Sequence, residues 1–468
     1  MINRLLANNF SSLEQDFQRW LRWPIIGGVL LLSAYLATRA SPLYLAVIVG
    51  VGGTLILLKR PSLGLPALLI SALVVPVAIG TGTQTPLNIA AMLIPALLAL
   101  WLADMIRRRK FQLAPSRTTL PMLALVASAT ISLIAGTMPW DLFARVAPIT
   151  TQVAGWAIYA FSAGVFLLVA NEVTDQAALK VLVTLFFVIG GLYIIGRVGI
   201  PGFSVLSTLM NRMGSDGSMF WVWLVALATG QLLFNRQLNQ VMQAALALLV
   251  VAMIGVSWFL ARSWTSGWLP SIVAVGVILW LRSWRLGLLV GIAGALVVLI
   301  GYPNILNTLI GLKDYSIMTR DIAREILVTQ IFPISPILGL GPANYYWYTP
   351  LFPILGYYVS FNSHNNYVDI LMQMGLVGMV CFGWVVWEIG QLGWYLRKRF
   401  TGDFAQGYIY ACIGGLAGTL VASWLADWLF PFAYNIGLNG FRASILAWLF
   451  LGGLVSLEQM ARQPKSEQ

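Results

Sequence analysis

The chain has 468 residues, of which 59% are hydrophobic and 9% charged, with a formal net charge of +12 and a mean hydropathy of +0.82. Soluble domains carry about 25% charged residues, so this composition excludes an ordinary soluble enzyme and predicts an all-α polytopic membrane protein. The positive charge is not gathered on one face. It comes as short clusters between apolar runs, the largest being Arg107-Arg108-Arg109-Lys110 and Arg397-Lys398-Arg399. That pattern is expected of cytoplasmic loops and speaks against a nucleic-acid partner.

Along the chain, residues 1–23 are polar and amphipathic with no apolar core or cleavage site. They are expected to form a cytoplasmic arm on the membrane surface rather than a signal peptide. Residues 24–302 hold a first set of apolar runs and residues 366–460 a second set, followed by a cytoplasmic tail at 461–468. A run of roughly 20 residues crosses the hydrocarbon layer, and about fourteen candidates meet that need. They centre near residues 31, 50, 70, 96, 126, 161, 188, 226, 250, 273, 294, 380, 415 and 448. Arg39-Ala40-Ser41-Pro42 and Arg60-Pro61 interrupt the first three, so about twelve to fourteen spans are predicted. With the amino terminus inside, most of the 28 basic residues fall on the cytoplasmic side, and so do both ends of the chain. The cations left outside are nearly all arginine, among them Arg212, Arg262, Arg320 and Arg324. Cys381 and Cys412 lie inside apolar runs and read as small hydrophobes, not as a disulfide or metal pair.

The interval 303–365 is then one long extracytoplasmic loop containing short helices. Residues 319–327 have a helical pattern with Arg320 and Arg324 four apart on one face. A turn-rich stretch follows at 336–342, then the aromatic patch Tyr345-Tyr346-Trp347-Tyr348, suited to the membrane interface or to a sugar face. The interval closes on His364, the single histidine of the chain and the side chain whose ordinary pKa lies nearest neutrality. Arginine matches phosphate because its planar fork donates two parallel hydrogen bonds and stays charged. A charged residue at membrane depth marks a site or a paired contact. Arg212, Arg262, Arg320 and Arg324 below one titratable base would suit a lipid diphosphate leaving group and an acceptor hydroxyl. Plainer roles exist for each. Arg320 and Arg324 would pair with Asp321 and Glu325 on a solvated helix, and Arg262 would snorkel to head groups. His364 would be an ordinary residue at a helix start capped by Ser363 or Asn362, and the aromatic patch an interfacial anchor. No Asp-x-Asp pair, His/Cys ligand set, phosphate-binding glycine loop or Gly-x-Ser-x-Gly elbow is present, so neither metal nor cofactor is expected.

The order of these features resembles the O-antigen ligase and polymerase superfamily of bacterial membrane glycosyltransferases over roughly residues 205–450. The strongest match runs from Ser363-His364-Asn365-Asn366 through Gln373-Met374-Gly375 to Gly378, similar to the family's His-Asn, helix and Gly-x-x-Gly step. Upstream, Pro336-Ile337-Leu338-Gly339-Leu340-Gly341-Pro342-Ala343-Asn344 resembles its Pro-x-x-Gly-x-Gly-Pro-x-Asn turn, with Arg320 at about the family's distance before it. Arg262-Ser263, Arg212-Met213-Gly214 and Asp427 resemble further family positions. Gln373 stands where the family often has an acid, and Met219-Phe220 where it has Pro-Asn. The resemblance implies a metal-independent, inverting transfer on the outer face of a bacterial plasma membrane. The donor would be a glycan on undecaprenyl diphosphate, and the acceptor a hydroxyl of a glycan or lipid. It implies that Arg262 and Arg320 hold the diphosphate while His364 acts as base on the acceptor or orients it. Arg212, Arg324, Asn365 and Asp427 would help bind substrate. The alternatives are a polysaccharide polymerase of the same superfamily and a small-anion permease of the bicarbonate type, which would also need arginines along its path.

Overall fold

The computed structural model describes residues 52–53, 57, 59–76, 78–79, 86–198, 202–206, 217–260, 264–301 and 315–462. The amino-terminal arm, the apolar run near residue 31, most of the run near residue 50 and the end of the tail lie outside them. The chain divides into two compact units, residues 1–64 and 65–468, and the first shows a 3-10 turn at Pro61–Leu63.

The described helices are α1 (Gly64–Leu73), α2 (Ile89–Arg108), α3 (Thr119–Ala135), α4 (Ile149–Glu172), α5 (Gln176–Arg197), α6 (Ser218–Phe234) and α7 (Gln240–Leu260). They continue with α8 (Thr265–Arg282), α9 (Trp284–Gly301), α10 (Tyr315–Ile326), α11 (Tyr345–Tyr348), α12 (Asn366–Leu396), α13 (Phe404–Leu425) and α14 (Gly437–Arg462). The only paired strands among the described residues are β1 (Ala78–Ile79) and β2 (Leu87–Asn88), two residues each and antiparallel. Asx side chains start several helices by accepting the orphan N–H groups of the first turn. Asn88 accepts from Ala91 N–H at 2.8 Å, Asp175 from Ala178 at 2.7 Å and Asp403 from Gln406 at 2.9 Å.

Eight described helices, α2, α4, α5, α7, α8, α12, α13 and α14, are long and apolar enough to cross a membrane. The protein is therefore an all-α multi-pass membrane protein. Four further apolar helices among the described residues are shorter, and the runs near residues 31 and 50 lie wholly or mostly outside those residues. The runs near 126 and 226 become α3 and α6, of 17 residues each. α3 stops at Gly136 because the chain must turn there beneath another loop: a Cβ on Gly136 would lie 2.8 Å from Gly341 Cα.

The interior helices are apolar on every face, as expected where a helix is surrounded by others rather than by lipid. α14 is buried along nearly its whole length, against α4 on one side and α6 and α13 on others. Close approach depends on glycine, the usual device where lipid removes any hydrophobic drive between helices. On Gly230 of α6 an added Cβ would lie 2.4 Å from the carbonyl oxygen of Gly407 on α13, a backbone atom unable to give way. Gly230→Ala is expected to lower the stability of the purified protein by about 1–3 kcal/mol, seen as an earlier thermal transition in detergent. Gly191→Ala, whose Cβ meets nothing within 4 Å, is the control and should melt like the parent.

Candidate active site

α12 is not continuous. Gly375 has φ +64° and ψ −161°, which breaks the helix and frees the backbone groups on either side. The segment 336–344 satisfies them. Leu340 N–H donates to Met372 O at 2.9 Å and Gly341 N–H to Gln373 O at 3.0 Å. In the other direction, Leu376 N–H donates to Pro336 O at 2.9 Å and Val377 N–H to Ile337 O at 3.2 Å. This contact is possible only without side chains, because a Cβ on Gly339 would sit 2.4 Å from Gln373 O and one on Gly375 2.3 Å from Ile337 O. Gln373 completes the seam. Its Oε1 accepts from Ala343 N–H at 3.0 Å, and its Nε2 donates to Tyr159 Oη and Asp369 O, both at 3.2 Å. The amide supplies an acceptor and donors together, which an ionised acid at this position would not. Asn344 ties the same turn to the loop after α3, donating to Gly136 O at 2.8 Å and accepting from Ala147 N–H at 2.8 Å.

The seam carries the start of α12 and the residue before it, His364. His364 has φ +48°, a left-handed conformation that is uncommon for a residue with a Cβ and costs about 1–3 kcal/mol. Both neighbours are pinned from below. Ser363 Oγ donates to Asp369 Oδ1 at 2.7 Å, and Tyr345 Oη donates to the same oxygen at 2.5 Å. Asn365 N–H donates to Ser363 Oγ at 2.9 Å, and Asn365 Oδ1 accepts from Tyr367 and Val368 N–H at 2.9 and 3.2 Å. The helix cap is thus Asn365, not Ser363 or Asn362 as the sequence suggested, because the left-handed turn at 364 aims the Asn365 side chain at the first N–H groups. Asn366 bolts on the next loop: its Oδ1 accepts from Leu429 N–H at 2.9 Å, and its Nδ2 donates to Phe430 O at 2.7 Å. His364 is left as a half-buried vertex between fixed neighbours.

Around that vertex the fold gathers residues far apart in sequence. Arg324 Nε lies 3.4 Å from Ser363 O, and its guanidinium 3.5 Å from Asp321. Burial first, then the charges of Arg320 and Arg324, hold the His364 imidazole down at about 4 instead of its usual 6.5. The ring is therefore neutral at pH 7. Asp427 is buried: its Oδ2 accepts Phe432 N–H at 2.8 Å and its Oδ1 accepts Asn435 Nδ2 at 2.7 Å. Burial raises its carboxyl, opposed by those two hydrogen bonds and by Arg320. Asn435 Nδ2 also lies 3.5 Å from His364 Nδ1.

Of the residues expected at the site, His364, Arg320, Arg324, Asn365 and Asp427 come together, while Arg212 and Arg262 lie outside the described residues. Arg320 is solvent-exposed and Arg324 half-buried. The pairing of Arg324 with Asp321 holds, but it coexists with the approach to His364 instead of replacing it. The aromatic patch is not an exposed anchor. Tyr345 and Tyr348 are buried in a cluster with Leu327, Ile331, Leu340, Met372 and Phe432, because Tyr345 is needed beneath Asp369. Asn366 and Asn435 went unnoticed in sequence. Asn366 at least stands in the Ser-His-Asn-Asn run; Asn435 has no local signal at all. Cys381 and Cys412 are both free thiols.

Beside the vertex a groove of about 390 Å³ runs between α12 and α13, lined by Asn365, Tyr367, Val368, Leu420, Val421 and Trp424. Trp424 is 62% exposed along it. No protein-family model matches this chain, and no curated protein is significantly similar to it.

The depressed His364 pKa has a testable consequence. Between pH 6.5 and about 4 the unfolded chain binds a proton that the folded chain refuses, so stability should fall as pH drops through that window. In His364→Gln this component of the pH dependence should vanish. NMR titration of the single imidazole should give a midpoint below 5; a midpoint at 6.5 would contradict this environment.

Proposed function

We propose that the protein transfers a glycan from a polyprenyl diphosphate carrier, of the undecaprenyl kind, to a hydroxyl on a glycan or lipid acceptor. The observation that carries this reading is the convergence of Arg320 and Arg324 on a neutral, half-buried histidine beside an apolar groove. Two guanidinium groups are suited to a diphosphate, and their charge is most useful as the sugar–phosphate bond breaks and negative charge grows on the leaving oxygen. The acceptor oxygen attacks the anomeric carbon, the diphosphate departs with the bonding electrons, and the hydroxyl proton passes to the neutral His364 ring or is oriented by it toward another acceptor. Asn365 heads the groove, whose apolar lining suits a hydrocarbon chain. Arg212 and Arg262 are proposed as further cations of the diphosphate site, and Asp427 as a residue that positions Asn435. The resemblance to O-antigen ligases supports the same assignment and implies chemistry on the outer face of a bacterial plasma membrane; a polymerase of that superfamily would use the same site.

The assay is release of carrier diphosphate by purified protein from an undecaprenyl-diphosphate-linked oligosaccharide, with EDTA present and a glycan acceptor. His364→Ala and Arg320→Ala are each expected to lower turnover about 100-fold or more while eluting as folded protein. Full turnover by both variants would end the assignment.

One observation favours a second reading, an anion permease. The helix break at Gly375 lies near the fully buried Asp369, whose Oδ2 has no hydrogen-bond partner among the described residues. Broken helices with buried polar groups line transport paths. Bicarbonate flux into proteoliposomes without any lipid-linked donor would support that reading over glycan transfer.

A further inference from the structure

His364 has two ring nitrogens in different surroundings. Nδ1 lies 3.5 Å from Asn435 Nδ2, and Nε2 has no hydrogen-bond partner among the described residues. The Asn435 amide is itself oriented. Its Nδ2 donates to Asp427 Oδ1 at 2.7 Å, and the other oxygen of Asp427 takes Phe432 N–H at 2.8 Å. A carboxylate receiving a backbone N–H and an amide selects the NH₂ end of that amide. The Asn435 backbone is held as well, its N–H donating to Phe432 O at 3.0 Å. The second hydrogen of the same NH₂ group is then directed toward Nδ1, which can only accept it. A neutral imidazole carries one ring proton, so an accepting Nδ1 places that proton on Nε2. The doubly protonated ring would have to donate toward Asn435 with Arg320 and Arg324 close by, and both features oppose it.

We propose that Asn435, oriented by Asp427, is a positioning residue that fixes the tautomer of His364 and turns Nε2–H outward as a hydrogen-bond donor. The groups around the ring are Asn435 and Asp427 on the loop after α13, Arg320 and Arg324 on α10, and Asp369 beneath Ser363 on α12. On the function proposed above, this N–H joins the two arginines as a third donor to the diphosphate. In its resting tautomer His364 then binds and orients; it takes a proton only after giving up the Asn435 contact. That refinement rests on the transferase reading, whereas the tautomer does not.

The chain has one histidine, so full-length protein labelled with [¹⁵N]histidine yields the signals of this ring alone. At pH 7, in detergent and without substrate, Nε2 is expected to be the protonated nitrogen and Nδ1 the bare one. Asn435→Asp replaces the donor by an acceptor and should invert the pattern, while Asn435→Ala should give a mixture. A protonated Nδ1 in the parent protein would overturn the proposal, since it would mean that Asp427 carries a proton and the amide is reversed. An unchanged tautomer in Asn435→Asp would overturn it too, by removing Asn435 as the cause. Because the parent measurement needs no variant, a misfolded variant leaves the test intact. Added inorganic pyrophosphate should perturb Nε2 while leaving it protonated; loss of that proton would refute the donor role. A silent transfer assay alongside a protonated Nε2 would sink the transferase reading and leave the positioning role standing.

Discussion

The backbone seam between the break in α12 and the segment 336–344 is the contact on which the site depends. A helix opened at Gly375 exposes peptide groups that hydrocarbon cannot satisfy, each unsatisfied group being worth several kcal/mol. Four backbone hydrogen bonds from the turn close that deficit, and Gly339 and Gly375 make the approach possible. The stretch 376–396 remaining after the break is long enough to cross the hydrocarbon on its own. The segment before it is therefore free to serve as a platform. It carries Asp369 and Gln373 downward into the protein and His364 upward to its end.

Strain and satisfaction are divided along that platform. Beneath His364, Ser363, Asn365 and Asn366 are each held by hydrogen bonds, whereas His364 itself adopts a left-handed backbone and its Nε2 has no hydrogen-bond partner among the described residues. A strained residue persists only where its surroundings over-determine it, and Ser363, Asn365 and Asn366 do so from three directions. The arrangement suits a group that must meet something arriving from outside, since flexibility there would blur its aim.

The charges are arranged by depth. The acids Asp369 and Asp427 are buried and anchored by donors, while Arg320 is exposed and Arg324 half-buried. Burial and then the two arginines keep His364 neutral, the arginines leave an electropositive rim, and an anion settling there would relieve the repulsion they exert on the ring. Protonation of His364 and binding of such an anion would for this reason be coupled, each favouring the other.

Sequence alone determined the membrane class, the approximate positions of most apolar helices and the gathering of arginines with the single histidine near one interval. Those properties are local: hydropathy is a sum over about 20 neighbouring residues, and charge bias is read within a short distance of each helix end. It also marked the turn-rich segment holding Gly339 and Gly341, though not the break at Gly375 that this segment faces. What only the tertiary structure decided are pairings across long separations. Asn435 meets His364 from 71 residues away, Gln373 reaches Tyr159 across 214, and Tyr345 is buried because Asp369, 24 residues on, needs its hydroxyl. No periodicity encodes such contacts. They follow from which backbone groups the break in α12 leaves open, and the segment that closes it carries its neighbours to the site.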